Sequence, residues 1–126
     1  MNRQELQRYI SEVYSTAPEF PWIKYPNYAV FRHQNNQKWF AAILEVPKSK
    51  LGLQGEGTLE IVNLKCDPAM VGSLRSEPGF FPAYHMNKEN WISIALDDSV
   101  QGSKIKALLE ISYDITNSKR HRASKA

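Results

Sequence analysis

The segment Lys38–Val46, KWFAAILEV, constrains the fold of this chain more than any other stretch. Side chains alternate between the two faces of a strand, and here both alternating sets are almost wholly apolar. Such a strand lies inside a sheet that is covered on both faces, because a half-exposed strand would carry polar residues on one side. With regular alternation, one face carries Trp39, Ala41 and Ile43, and the other carries Phe40, Ala42, Leu44 and Val46.

Cap and turn signals predict helices and further strands around this segment. Asn2 and Glu5 have the spacing of a capping box, and Asp67-Pro68 supplies the cap and the first-position proline of a second helix. Ser103 is the predicted cap of a C-terminal helix whose apolar residues recur at helical spacing. The predicted elements are a helix over 2–15, strands over 28–33, 38–46 and 58–65, a short helix over 69–77, an extended segment over 80–84, a strand over 91–96 and a helix from 103 to about 117.

These elements predict a single α+β domain with an antiparallel β-sheet. The N- and C-terminal helices pack on the sheet, and the short helix is inserted after the third strand. A chain of 126 residues is long enough for one such domain. We predict that the domain covers residues 1–118 and that residues 119–126 form a basic, disordered tail.

The charge of this chain is concentrated at its C-terminal end. The last eight residues hold four of the 16 basic side chains and none of the 13 acidic ones, so residues 1–118 have a formal net charge of −1. A nucleic-acid-binding domain usually carries a basic face of its own. The composition of the domain supplies no such excess, although clustering of lysines and arginines in the fold could still create a basic face.

The number of cysteines and the hydropathy of the chain indicate the cellular compartment of the protein. The single cysteine, Cys66, excludes an internal disulfide, and a lone thiol is typical of a reducing compartment. No apolar run approaches the ~20 residues of a membrane span, and MNRQELQRYI lacks the apolar stretch of a secretory signal. The three histidines lack the spacing of a metal site. We therefore expect a cytoplasmic, monomeric protein without membrane contact, metal or cofactor.

Four segments resemble the MmcQ/YjbR family. They are LKCDP at 64–68, GFFPAYHMNKENW at 79–91, ALDDS at 95–99 and LLEISYDIT at 108–116. The resemblance extends over about residues 2–118. It implies a compact α+β fold with an antiparallel sheet, described as CyaY-like or as related to a double-wing domain. It also implies a non-enzymatic, DNA-binding protein, because family members commonly carry that label.

Basic and amide residues are the candidates for contacts with double-stranded DNA. Phosphates and base edges are bound by such side chains, and a turn between two strands could reach a duplex as a wing does. In the alternative interpretation, the same residues serve the fold: a solvated charge at a strand end, or an amide that satisfies the backbone of its turn. The candidates are Lys65, His85, Asn87 and Lys88 in the domain and Lys119, Arg120 and Arg122 in the tail.

An aromatic surface and a thiol provide two further hypotheses. Tyr84 and Trp91, in the aromatic segment 80–91, could form the surface of a protein- or small-ligand-binding module, although a Trp at the start of a strand is more often a core residue. Cys66 with His85 could form a nucleophile pair, which would make the protein a small enzyme. A single Cys is more often a small buried hydrophobe, so we expect no catalytic residues.

Overall fold

The computed structural model describes residues 1–117. It contains three α-helices, one 3-10 helix and five strands within that range. In chain order these are α1 (Arg3–Tyr14), β1 (Ala29–Arg32), β2 (Trp39–Pro47), the 3-10 helix (Lys48–Leu51), β3 (Thr58–Lys65), α2 (Pro68–Arg75), β4 (Phe80–Pro82), β5 (Trp91–Ala95) and α3 (Gly102–Thr116).

The five strands form one antiparallel sheet in the order β1-β2-β3-β5-β4. The apolar strand β2 lies inside the sheet between β1 and β3, as its composition predicts. The α+β class, the terminal helices and the short helix after the third strand are all confirmed. The predicted tail 119–126 lies outside the described residues.

An irregularity in the β1–β2 pairing changes which face two aromatic residues occupy. Phe31 pairs with Ala41 and Arg32 with Trp39, so Phe40 is the extra residue of a β-bulge. The predicted facing of Trp39 and Phe40 is therefore wrong. Phe40 packs with Ala41 in the core beneath the helices, and Trp39 packs on the opposite face of the sheet.

One face of the sheet is covered by the helices. Leu6 and Ile10 of α1 are fully buried there, and each contributes ~1.5–3 kcal/mol by leaving water. Ser112 of α3 joins two strands of this face: its Oγ donates to the Phe40 carbonyl at 2.6 Å and accepts from the Lys65 N–H at 2.9 Å. This hydroxyl fixes the position of α3 over β2 and β3.

The opposite face, here called the loop face, carries a second and smaller apolar cluster. Its buried members are Tyr28 and residues of β1, β2 and β3. The partly buried residues packed against it come from the strands, the 3-10 helix and two loops: Trp39, Leu59, Leu51, Trp22 and Tyr84. Glu19 exchanges two backbone hydrogen bonds of 2.8 and 2.9 Å with Val30, which attaches the segment before β1 to the sheet edge. The described loops cover this face incompletely and leave cavities between them.

Two of the three helix caps predicted from the sequence are confirmed. Asn2 and Glu5 form the capping box of α1, and the Asp67 carboxylate accepts from the Ala69 N–H at 2.9 Å at the start of α2. The predicted cap of α3 is wrong. Gln101 occupies the cap position of α3 without a side-chain hydrogen bond, and Ser103 lies inside the first turn.

Candidate ligand site on the loop face

A cavity of about 410 Å³ opens on the loop face. Its volume lies within the range of small-molecule pockets, and most of its lining is aromatic or aliphatic. The segment before β1, strand β2, strand β3 and the turn before β5 each contribute residues. The lining consists of Trp22, Tyr25, Tyr28, Trp39, Ala42, Leu44, Asn63, His85 and Met86.

Four aromatic rings hold one another in place at this cavity. Trp22 stands edge-on to Tyr28, with ring centroids 5.8 Å apart, and edge-on to Trp39, at 5.5 Å. Tyr25 stacks on Tyr28 at 4.7 Å with 12° between the planes. Burial raises the pKa of the Tyr28 phenol above its usual value. We call Trp22, Tyr25, Tyr28 and Trp39 the aromatic wall.

A buried polar network lies beside the aromatic wall. Asn63 of β3 is fully buried, and its Nδ2 donates to the Tyr84 carbonyl at 2.8 Å. Its Oδ1 accepts from the Ser93 hydroxyl, which in turn accepts from the Tyr84 N–H at 3.0 Å. These bonds hold the start of the turn before β5 against the sheet, and they place a fixed amide in a lining that is otherwise mainly apolar.

The turn at 84–90 carries three of the predicted DNA-binding residues. His85 has a positive φ of 62°, and its ring lies 4.0 Å from that of Tyr84. The Asn87 Oδ1 accepts from the Glu89 N–H at 2.8 Å, so this amide supports its own turn, as in the alternative interpretation. The Lys88 ammonium donates to the Ala83 carbonyl at 3.0 Å.

A second cavity of about 450 Å³ adjoins the first and shares His85 with it. Lys50 of the 3-10 helix and Lys88 of the turn are both in its lining, together with Tyr84 and Phe81. Among the described residues, no Asp or Glu lines either cavity. The pair of cavities therefore combines an aromatic end with a cationic end.

Lys65 and Trp91 are cross-strand partners at the ends of β3 and β5. Side-chain alternation puts both on the loop face with Asn63 and Ser93. Both are half-buried, and neither lines the two cavities. Trp91 is thus on the same face as the aromatic wall but separate from it, and it is not one of the buried core residues.

The remaining predicted candidates are not brought together with this site. Cys66 lies in the helix-covered core, on the other side of the sheet from the cavity that His85 lines. Burial raises the pKa of the Cys66 thiol, and the Asp67 carboxylate adds to the effect. Lys119, Arg120 and Arg122 lie outside the described residues.

Several cations of the domain are paired with carboxylates. Within residues 1–117, ion pairs join Arg3 to Glu60 at 3.2 Å, Arg32 to Glu19 and Lys104 to Glu77 at 2.9 Å. Each of these three cations is neutralised by its carboxylate and adds no net charge to a basic face. In the same range, no helix has the length and apolarity that crossing a bilayer requires.

Sequence reasoning missed the aromatic wall and the buried amide Asn63. The only local signal was the segment 18–28, in which three prolines interrupt a run rich in aromatic residues. Such a segment has no periodicity that predicts which rings will face one another. The positions of Trp22 and Tyr25 depend on the chain folding back over β1 and β2.

Comparisons with known proteins agree with this architecture. The YjbR family model matches residues 11–115. The uncharacterized protein YyaQ of Bacillus subtilis is 43% identical over 116 residues, which cover 92% of this chain and 98% of YyaQ. A crystal structure of a Pseudomonas syringae protein, 44% identical, superimposes with a TM-score of 0.91 over 93% of this chain and 100% of that one. A Deinococcus radiodurans protein of the DUF419 type, 23% identical, shares the fold with a TM-score of 0.68 over 90% of this chain and 77% of that one. The resemblance seen in the sequence is thus confirmed, and the chain belongs to the YjbR family.

Proposed function

We propose that this protein is a non-enzymatic binding module that takes a planar, apolar ring of a small ligand into the cavity at the aromatic wall. The observation that carries the proposal is the set of four mutually packed rings around a cavity of about 410 Å³, with one buried amide in the lining. Rings that are already held by their neighbours lose little side-chain freedom when a ligand binds.

The chemistry of the lining supports recognition of a ring. A flat ligand can stack on an exposed aromatic face or meet it edge-on, and each stacked base contributes ~1–3 kcal/mol in comparable sites. Tyr25 keeps 51% of its surface exposed, so one ring of the wall remains accessible from solvent. The fully buried amide of Asn63 bonds to Tyr84 and Ser93, so it stabilises the turn at the edge of the cavity.

Binding without catalysis is part of the proposal. Its support is the composition of the two cavity linings, whose polar side chains end in amide, phenol, indole, imidazole and ammonium groups. Neither lining contains a carboxylate or a thiol. A nucleophile with an adjacent base is the usual minimum for covalent catalysis.

A titration with indole as the probe ring tests the proposal. Trp22→Leu removes one ring of the aromatic wall and should weaken indole binding about tenfold or more, on the scale of one lost stacking contact. Trp91→Leu is the matched control, because Trp91 lies on the same face outside both cavities. Equal loss in the two variants, or no indole binding by the unaltered protein, contradicts the proposal.

Binding of double-stranded DNA is a second candidate. The observation that favours it is the presence of Lys50 and Lys88 beside one cavity, with Lys65 on the same face of the sheet. The test is a titration with duplex DNA at low and at moderate salt, with the full chain and with a chain that ends at residue 118. No binding at low salt contradicts this candidate, and binding that requires residues 119–126 means that the domain is not the reader.

A further inference from the structure

We infer that the ligand of this site is an aromatic anion, whose ring occupies the aromatic wall and whose anionic substituent lies in the second cavity beside Lys50 and Lys88. This inference rests on the proposed function and names the chemical class of ligand. The anionic substituent is a carboxylate or a phosphate, and both would meet the same ammonium groups.

The two cavities are neighbours that share one lining residue. His85 lines both of them, so a ligand that is longer than one cavity can pass this side chain to reach the other. The exposed ring of His85 contacts that of Tyr84, whose backbone N–H and carbonyl are both held by the Asn63–Ser93 network. The residue next to His85 is therefore anchored to the sheet.

The side chains that line the second cavity favour an anionic group. Lys50 and Lys88 both line it, and no Asp or Glu of the described residues does. The Lys88 ammonium donates to the Ala83 carbonyl, which positions the group and leaves further N–H donors for an anion. A described lining that has two lysines and no acidic residue favours a negative charge in this cavity.

The same charges argue against a cationic ligand. A cage of several aromatic rings is a typical site for a quaternary ammonium group, because the ring faces are electron-rich. Here the neighbouring lysines would repel such a cation, and no acidic side chain lines the cavity to offset them. The aromatic wall next to a basic cavity therefore fits a ring with an anionic substituent better than a ring with a cationic one.

Three probes with the same ring test the inference: indole, indole-3-acetate and tryptamine. Their affinities are measured by calorimetry or by NMR at low and at high salt. We expect indole-3-acetate to bind about threefold to tenfold more tightly than indole, as partly exposed charge-assisted contacts allow. Tryptamine should bind more weakly than indole, and high salt should reduce the differences.

Charge-neutralising variants locate the anion. Lys50→Gln and Lys88→Gln should each reduce the preference for indole-3-acetate over indole, which is the ratio of the two affinities measured on the same variant. Arg8→Gln is the control, because it removes the same charge from an exposed position on α1. Lys50 has no described backbone contact like that of Lys88, so its variant remains informative if Lys88→Gln perturbs the turn.

The possible outcomes distinguish failure of the proposed function from failure of the inference about the anion. If none of the three probes binds, the proposed function fails and the inference fails with it. If indole binds and the carboxylate adds nothing, or if tryptamine binds most tightly, the inference is wrong and ring binding stands. A preference for indole-3-acetate that persists in both lysine variants also overturns the inference.

Discussion

Trp22 meets Trp39 edge-on, with ring centroids 5.5 Å apart and planes at 83°. The two residues are 17 positions apart in the sequence, one in the loop before β1 and one at the start of β2. Their contact completes the aromatic wall, because it joins the segment before β1, which folds back over the sheet, to strand β2. The β-bulge at Phe40 makes it possible by turning Trp39 to the loop face.

The contact between these two rings should be measurable as an energetic coupling. Trp22→Leu, Trp39→Leu and the double variant form a double-mutant cycle. We expect the two single changes to be non-additive by about 0.5–1.5 kcal/mol in the free energy of unfolding, as for other edge-to-face aromatic pairs. Urea denaturation provides the measurement, and additivity of the two changes would show that the rings do not stabilise each other.

Ser112→Ala should destabilise the domain through the two backbone groups that it leaves unpaired. The hydroxyl bonds to the Phe40 carbonyl and to the Lys65 N–H, and its residue is fully buried. We expect a loss of about 1–3 kcal/mol in urea denaturation. Ser103→Ala is the control at an exposed position in the first turn of α3, where a change within about 0.5 kcal/mol is expected.

Replacement of two glycines by alanine should change the stability of the domain in opposite directions. At Gly79, φ is +87° and an added Cβ would lie 2.5 Å from a methyl carbon of Val100, so Gly79→Ala should cost about 1–3 kcal/mol. At Gly72, in α2, an added Cβ meets no atom within 4 Å, and Gly72→Ala should stabilise the domain by about 0.4–1 kcal/mol. Thermal denaturation distinguishes the two, and a neutral Gly79→Ala would mean that the turn before β4 is formed differently.

The stability of the domain should fall when the pH drops below about 6.5, the usual pKa of histidine. Burial lowers the pKa of His33 below that value, against an opposing hydrogen bond with the backbone of Tyr113. The unfolded chain therefore takes up a proton in this range that the folded chain does not, which favours unfolding as the solution becomes more acidic.

His33→Gln removes this titration and is the test of its origin. Above about pH 7 the imidazole is neutral in both states and makes no pH-dependent contribution. We expect the loss of stability between about pH 7 and about pH 5 to be smaller in the variant than in the unaltered protein. The Thr116 hydroxyl, 2.8 Å from the His33 Nε2, can still bond to the glutamine amide. Equal losses in the two proteins would exclude His33 as the cause.

Helices and strands of the fold could be predicted from the sequence because each is indicated by a local pattern of residues. The capping box at Asn2, the Asp67-Pro68 start and the apolar composition of β2 act over a few residues and keep their meaning in the folded chain. Ser103 failed as a cap because the helix begins at Gly102, two residues earlier than a cap at Ser103 implies, and Gln101 occupies the cap position without a side-chain hydrogen bond.

The site was much less predictable, since it depends on contacts between distant segments. A bulge at Phe40 leaves no local pattern, yet it decides that Trp39 lies on the loop face. Asn63 gives no signal in a strand that also carries Glu60 and Lys65, until Ser93 and Tyr84 are placed beside it. His85 and Lys88 do lie in the predicted turn between two strands, but the cavities that they line were not foreseen.

The most direct test of the account is an indole titration followed by protein NMR, with backbone and side-chain amide signals assigned. We predict that the largest shifts occur at the Asn63 side-chain amide, at the His85–Met86 backbone and at the indole N–H signals of Trp22 and Trp39, with the Trp91 indole signal nearly unchanged. Absence of shifts at millimolar indole, or shifts confined to α1 and α3, would contradict the proposal that the aromatic wall is a ligand site.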